Sequence, residues 1–295
     1  MNLSDERIAL TGANGWLGRE TAFRLIQENP SQPLLALGRN PALLELPGCE
    51  PIPVHQWANT DVADWEPTVL IHLAALTKER LRGMALQAYI DENDALTQSA
   101  LAISRLRSIH SVVTASSGAA ISQLDHPYGA HKASEEALFR KSATEENKNL
   151  VVARIWSVSG RFCTKPEEFL FFDLLRQAVG DSEFIEVLAE NRVYRRYVDG
   201  GEFLEICLRA ALSGHSGTID STGEVVEAGV LAECINSVLR ANKRVRRAPE
   251  RNGPDEYLSQ SAAMEKWARA TGVQVSDLSH QIVRSLEAIR PMEGL

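Results

Sequence analysis

The sequence predicts an α/β fold, a doubly wound parallel sheet followed by a smaller C-terminal α/β domain. Three observations predict it. Short apolar runs alternate with amphipathic stretches through the first half of the chain, a glycine-rich turn follows the first run, and the alternation lapses after Gly160. Apolar strands separated by helices are the mark of βαβ crossovers, which bury each strand on both faces.

In chain order, Arg7–Thr11 is the first strand, Gly12–Gly18 the turn, and Glu20–Gln27 a helix with Ala22, Leu25 and Ile26 on one face. Leu34–Leu37, Thr68–Ala75, Ser111–Thr114 and Leu150–Ile155 supply four more strands, with helices over Ala88–Arg107 and Ala130–Lys141. Beyond Gly160, Pro166–Val179 and Glu202–Leu212 read as helices, Gly217–Asp220 as a strand, and Ala228–Ala241 and Ser261–Gly272 as further helices. The basic cluster Lys243–Arg247 reads as a solvated loop.

The chain has 295 residues, 44% hydrophobic and 24% charged, the composition of an ordinary folded protein of two domains or one large α/β unit. Its net charge of −8 offers no general attraction to nucleic acid or anionic membranes, so an anionic ligand must meet individual Arg or Lys residues. Cys49, Cys163, Cys207 and Cys234 lie far apart without metal-ligand spacing and are expected to be free thiols. The N-terminal segment lacks a basic region before its short apolar stretch, and no apolar run approaches ~18 residues, so a reducing cytoplasm is the expected compartment.

Gly12, Gly15 and Gly18 stand at G-x-x-G-x-x-G between the first strand and the first helix. Lacking Cβ atoms, they allow a sharp turn and close approach of a pyrophosphate, whose charge the helix N-terminus favours. This is a Rossmann dinucleotide turn, and Gly12, Asn14, Gly15, Trp16, Leu17 and Gly18 are its expected contacts. At the end of the second strand, where NAD binders carry an acid for the ribose 2′-hydroxyl, this chain has Gly38-Arg39. An arginine there suits a 2′-phosphate, so NADP is the expected cofactor and NAD the alternative.

Tyr128 and Lys132 stand at i and i+4, on one face of a helix. Ser116 and Ser117 lie just past the fourth strand, at the edge of the sheet where ligands bind. A neighbouring ammonium favours the phenolate of a tyrosine, and a serine hydroxyl can hold a reacting oxygen, so the set is suited to proton exchange at an oxygen.

Thr11–Gly18, His72-Leu73-Ala74-Ala75, Asn93 followed by Thr97, Ser116 and Tyr128-x-x-x-Lys132 together resemble the short-chain dehydrogenase/reductase superfamily, and within it the extended NAD-dependent epimerase/dehydratase family. The resemblance spans nearly the whole chain. It implies that Ser116 binds the substrate oxygen, with Ser117 as runner-up, that Tyr128 is the general acid/base, and that Lys132 binds the nicotinamide ribose and tunes Tyr128. Leu73, Ala74 and Ala75 would border the cofactor, and Asn93 would support the site. His72 is expected beside the cofactor and His131 towards solvent.

Arg154-Ile155-Trp156-Ser157 is similar to the family segment leading into the substrate domain, but Ser157 stands where the family usually has an asparagine that touches a nucleotide-sugar. By the same resemblance Arg195 and Arg251 are candidates for a substrate diphosphate, to which a guanidinium offers two parallel hydrogen bonds. The expected organisation is a dinucleotide-binding domain over residues 1–160, rejoined by 193–223, and a substrate-binding domain over 161–192 and 224–295. The expected activity is epimerisation or 4-keto reduction of a nucleotide-activated sugar. Ser117-Gly118-Ala119 follows Ser116 where family dehydratases carry Asp-Glu, which disfavours dehydration. The alternatives are an NADPH-dependent reductase of a non-nucleotide carbonyl compound and a non-catalytic NADP sensor, the latter having no need of Ser116, Tyr128 and Lys132 together. Family members often dimerise through helices corresponding to Ala88–Arg107 and Tyr128–Lys141, so a homodimer is the expected assembly.

Overall fold

The computed structural model describes residues 3–289. Seven strands occupy the first half of the chain: β1 (Ile8–Thr11), β2 (Leu34–Gly38), β3 (Ala42–Leu44), β4 (Ile52–Gln56), β5 (Val69–His72), β6 (Ser111–Ser117) and β7 (Asn149–Ile155). With them come helices α1 (Trp16–Glu28), α2 (Leu86–Ser104), α3 (Ala119–Ser122) and α4 (Pro127–Glu145). The second half adds β8 (Val158–Ser159), α5 (Leu170–Val179), β9 (Phe184–Val187), β10 (Val193–Arg196), β11 (Val198–Asp199), α6 (Gly200–Leu212) and β12 (Gly217–Asp220). It ends with β13 (Val225–Glu227), α7 (Ala228–Leu239), β14 (Arg244–Arg247), β15 (Asp255–Glu256), α8 (Ala263–Thr271) and α9 (Leu278–Ser285).

The large sheet has eight strands in the order β12-β7-β6-β5-β1-β2-β4-β3. All its pairings are parallel except β3 with β4. It is a Rossmann-like α/β sheet. Because side chains alternate along a strand, each strand feeds two cores. Ile8 and Leu10, Val69 and Ile71, and Val151 and Ala153 pack into the layer with Phe203, Leu204 and Leu208 of α6. Ala9, Leu70, Val112 and Val152 face the opposite layer, with Leu101 of α2 and Phe139 of α4. The chain leaves β1 for β2 on one side and later returns to β5 on the other, so a crevice opens beside β1 at the carboxyl edge, where open sheets of this kind bind ligands.

A third core holds Phe171, Phe172, Leu174 and Leu175 of α5 with Ile185 of β9, Leu231 and Ile235 of α7, and Ile282 of α9. Its small sheets pair β9 with β14 and β10 with β13 and β15. α6 and β12 join the large sheet, and Met264 and Ala268 of α8 pack in the same core as α6. The helix anticipated from Pro166 begins only at Leu170, after a short 3-10 turn over Pro166–Glu168. The cluster anticipated as a solvated loop is strand β14: Lys243 Nζ donates to the Gln177 carbonyl at 2.7 Å and Arg247 to Glu227 at 2.6 Å. All four cysteines are free thiols, and among the described residues no group of His, Cys, Asp or Glu is arranged to hold a metal. No described helix is long and apolar enough to cross a membrane.

Candidate active site

A cleft of about 1540 Å³ runs along the carboxyl edge of the large sheet. Its middle is the glycine turn. Gly12 has φ +73°, a conformation that disfavours a side chain, and a Cβ there would stand 2.8 Å from the Ala74 nitrogen. A Cβ at Gly18 would press within 2.7 Å of Ala13 Cα. Helix α1 starts at the N-cap residue Gly15 without a side-chain cap and without an acid in its first turn. Its leading N–H groups therefore suit a bound anion. The cradle that glycines leave here fits a dinucleotide pyrophosphate, and Gly12, Gly15, Trp16, Leu17 and Gly18 all line the cleft. Asn14 lies close by, its amide 3.0 Å from where a Gly38 Cβ would stand.

Towards β2 and β4 the cleft is bordered by Gly38, Arg39, Asp61 and Val62. Arg39 is largely exposed and pairs with Glu92 of α2. Asp61 and Val62, just beyond β4, escaped the sequence reading because the short strand before them has only a weak alternating pattern.

On the other side lie Leu73, Ala74, Ala75, Ser116, Ser117, Tyr128, Lys132 and Ser157. Asn93 is not in the cleft wall. Buried at 1% exposure, it accepts the Leu76 N–H at 2.8 Å and donates to the Tyr89 carbonyl at 3.2 Å, which fixes the loop carrying Leu73–Ala75. The two serines diverge because neighbours on a strand point to opposite faces. Ser116 Oγ donates to Glu136 Oε1 at 2.6 Å, and Glu136 also receives Arg154. Ser117 Oγ accepts the Ala119 N–H at 3.2 Å and lies 3.2 Å from the Tyr257 hydroxyl. The rings of Tyr257 and Trp156 pack at a tilt of 49° with centroids 4.7 Å apart, and Trp156 is fixed by a 2.8 Å bond from its indole N–H to Asp220. Burial, more than the neighbouring Tyr128, raises the Tyr257 phenol pKa, while the Ser117 bond opposes the rise.

Lys132 is 4% exposed, with its ammonium 3.0 Å from the Ala115 carbonyl and 2.6 Å from Glu135 Oε2. His72 is buried beside it, whereas His131, anticipated towards solvent, tucks against α2 with Asp94 3.4 Å away. Burial lowers the His131 pKa despite the nearby acids. Arg195 reaches the cleft, but its guanidinium already grips Asp255 at 2.7 Å. Arg251 does not reach it: it is exposed and faces Glu190 at 3.4 Å, because β15 carries the chain back to the cleft only at Asp255. Tyr257 and Glu135 were missed from sequence. Tyr257 comes from 140 positions beyond Ser117, but Glu135 had a signal, since Tyr128, Lys132 and Glu135 follow the i, i+4, i+7 spacing of one helix face.

Residues 8–229 match the model of the NAD dependent epimerase/dehydratase family. The chain belongs to that family. It is an enzyme of this NAD-dependent class. A UDP-N-acetylglucosamine 4-epimerase from Methanobrevibacter ruminantium M1, in complex with UDP-N-acetylmuramic acid, has the same fold, with a TM-score of 0.77 at 18% identity over 96% of this chain and 98% of that one. The Bordetella bronchiseptica enzyme WbmF in complex with NADH gives 0.75 at 16% identity, covering 97% and 92%. UDP-glucuronic acid 4-epimerase from Bacillus cereus in complex with NAD gives 0.70 at 17% identity, covering 96% of each chain. At these identities the likeness is one of fold. No curated protein matches the sequence significantly.

Proposed function

We propose that this family member exchanges a hydride at a carbinol or carbonyl carbon, and a proton at its oxygen, of a nucleotide-activated sugar, as an epimerase or a 4-ketosugar reductase. The observation that carries the reading is the convergence of Ser117, Tyr128 and Lys132 on one cleft with an uncapped glycine turn. The family and its structural neighbours support the substrate class.

A nicotinamide dinucleotide, when bound, supplies the hydride exchange. The chain's residues do the rest. Gly12–Gly18 and the start of α1 would hold the pyrophosphate, and Leu73–Ala75 would border the cofactor. Tyr128 gives the proton to, or takes it from, the substrate oxygen, with the Lys132 ammonium beside it favouring the phenolate when the proton leaves. Ser117, in place of Ser116, donates a hydrogen bond to that oxygen. It accepts the Ala119 N–H, and when the Tyr257 hydroxyl acts as donor in its 3.2 Å contact with Ser117 the serine's own hydrogen is left for the substrate. NADP is the proposed cofactor, through Arg39 freed from Glu92. The cytoplasm is the proposed compartment, and pairing through α2 and α4 the proposed dimer.

The second reading, a reductase of a smaller carbonyl compound, is favoured by the phosphate clamps: Arg251 stands outside the cleft, Arg195 is occupied by Asp255, and Ser157 replaces the family asparagine. Identification of the co-purifying dinucleotide, followed by thermal-shift screening of UDP- and dTDP-sugars, separates the two. Stabilisation by a nucleotide-sugar together with either formation of its epimer or oxidation of NADPH, lost in Tyr128→Phe, is the expected result. A Tyr128→Phe enzyme with wild-type turnover refutes the relay.

A further inference from the structure

Lys132 is a buried cation, and burial by itself drives an ammonium to shed its proton. The residue that prevents this is Glu135, one helical turn on and 2% exposed, whose Oε2 lies 2.6 Å from Nζ. Its other oxygen lies 3.1 Å from His72 Nε2, and His72 Nδ1 lies 2.8 Å from Thr11 Oγ1. Thr11 Oγ1 in turn accepts the backbone N–H groups of Leu73 at 3.2 Å and Ala74 at 3.4 Å. With those acceptor positions filled, the Thr11 hydroxyl donates to Nδ1, and the Nε2 hydrogen of His72 goes to Glu135. The parallel register of β1 and β5 sets Thr11 directly beside His72, so the chain is continuous from the residue before Gly12 to the ammonium.

We infer that Glu135 is a positioning residue of the proton relay, holding the Lys132 ammonium in place and tying it through His72 and Thr11 to the backbone of the dinucleotide turn. The inference rests on the reading of Tyr128 and Lys132 as that relay. Burial pulls the Lys132 pKa down and Glu135, with Tyr128, more than reverses it, so it lies above the ordinary lysine value. Burial pushes the Glu135 carboxyl up, but Lys132 and His72 bring it down to about 2. The other groups facing the pair are Tyr128, His131 and Glu136 on α4, His72 on β5 and Tyr89 on α2, and Arg154 on β7 holds Glu136. Among them Glu135 is the anion that touches the ammonium. Loss of an anion lowers the pKa of every proton near it.

The test needs no substrate. Lysine ¹⁵Nζ resonances of the full-length protein are titrated, with the Lys132 signal assigned from Lys132→Arg. In Glu135→Gln the Lys132 midpoint is expected to move to lower pH by about 1 or more, and in Glu135→Asp, which keeps the charge, to stay within about 0.3 of wild type. A midpoint in Glu135→Gln that stays put or rises overturns the inference. If Glu135→Gln fails to fold, lysine ¹⁵Nζ signals of the wild-type protein decide: an ammonium at Lys132 through pH 9 supports the inference, and a neutral amine at or below pH 9 sinks it. The two readings fail separately. Wild-type turnover in Tyr128→Phe removes the relay, whereas an inactive Tyr128→Phe with an unmoved midpoint in Glu135→Gln removes only the role of Glu135.

Discussion

Ser116 donates its hydroxyl hydrogen to Glu136 across 2.6 Å, on the side of β6 away from Tyr257. Its hydrogen is committed to a carboxylate that also receives Arg154, whereas Ser117 has a hydrogen for a ligand whenever Tyr257 is the donor in their 3.2 Å contact. Ser117→Ala is expected to lower kcat by about 10²–10³-fold, the usual cost of removing a donor aimed at a reacting oxygen. Ser116→Ala is expected to stay within about threefold of wild type in kcat and to lose about 1–2 kcal/mol of stability, because Glu136 loses one of its partners. Steady-state turnover and urea unfolding of the two variants check this. The opposite ranking in kcat returns the substrate role to Ser116.

Arg39, the proposed partner of a 2′-phosphate, is paired with Glu92. A phosphate must compete with that carboxylate, and both side chains are exposed enough for water and salt to weaken the pair. Glu92→Gln is therefore expected to tighten NADPH binding about threefold, with NADH unchanged. Arg39→Ala is expected to weaken NADPH about tenfold, again with little effect on NADH. Fluorescence titration with both dinucleotides provides the measurement. An equal loss for NADPH and NADH in Arg39→Ala removes the 2′-phosphate assignment.

Local patterns made one half of the molecule legible. The strands β1, β2, β5, β6 and β7 are continuous apolar runs, and Gly12–Gly18 must be glycine where the backbone reverses or presses on itself, so sequence exposes both. The second half is built differently. Its strands are two to four residues long and exist through pairing with distant partners, as Arg244–Arg247 does with Phe184–Val187, and a basic run gives no local sign of a strand. The choice between Ser116 and Ser117 depends on a single step of register along β6, invisible without the partner that each hydroxyl meets. Arg251 lies outside the cleft for a related reason: its position in sequence does not say that the chain reaches the cleft only four residues later, at Asp255.

Glu20 joins the two halves, and its charge state should set the pH dependence of their union. It is 2% exposed, and Oε1 accepts the Trp16 indole N–H at 3.2 Å and the Phe162 N–H at 3.0 Å. Burial and then the nearby Asp199 raise its pKa to about 7 against these hydrogen bonds. Between pH 4.5, the ordinary carboxyl value, and about 7, the folded protein holds a proton that the unfolded chain has released. Stability from this group is therefore highest below that window and falls as pH rises through it, by up to about 3 kcal/mol. Glu20→Gln keeps the oxygen that Trp16 and Phe162 need and removes the buried charge. It is expected to be more stable than wild type by about 1–3 kcal/mol at pH 8, with the gain vanishing at pH 4.5. Urea midpoints at the two pH values decide the matter: an equal gain at both would mean that shape, and not ionisation, distinguishes glutamine from glutamate at this joint.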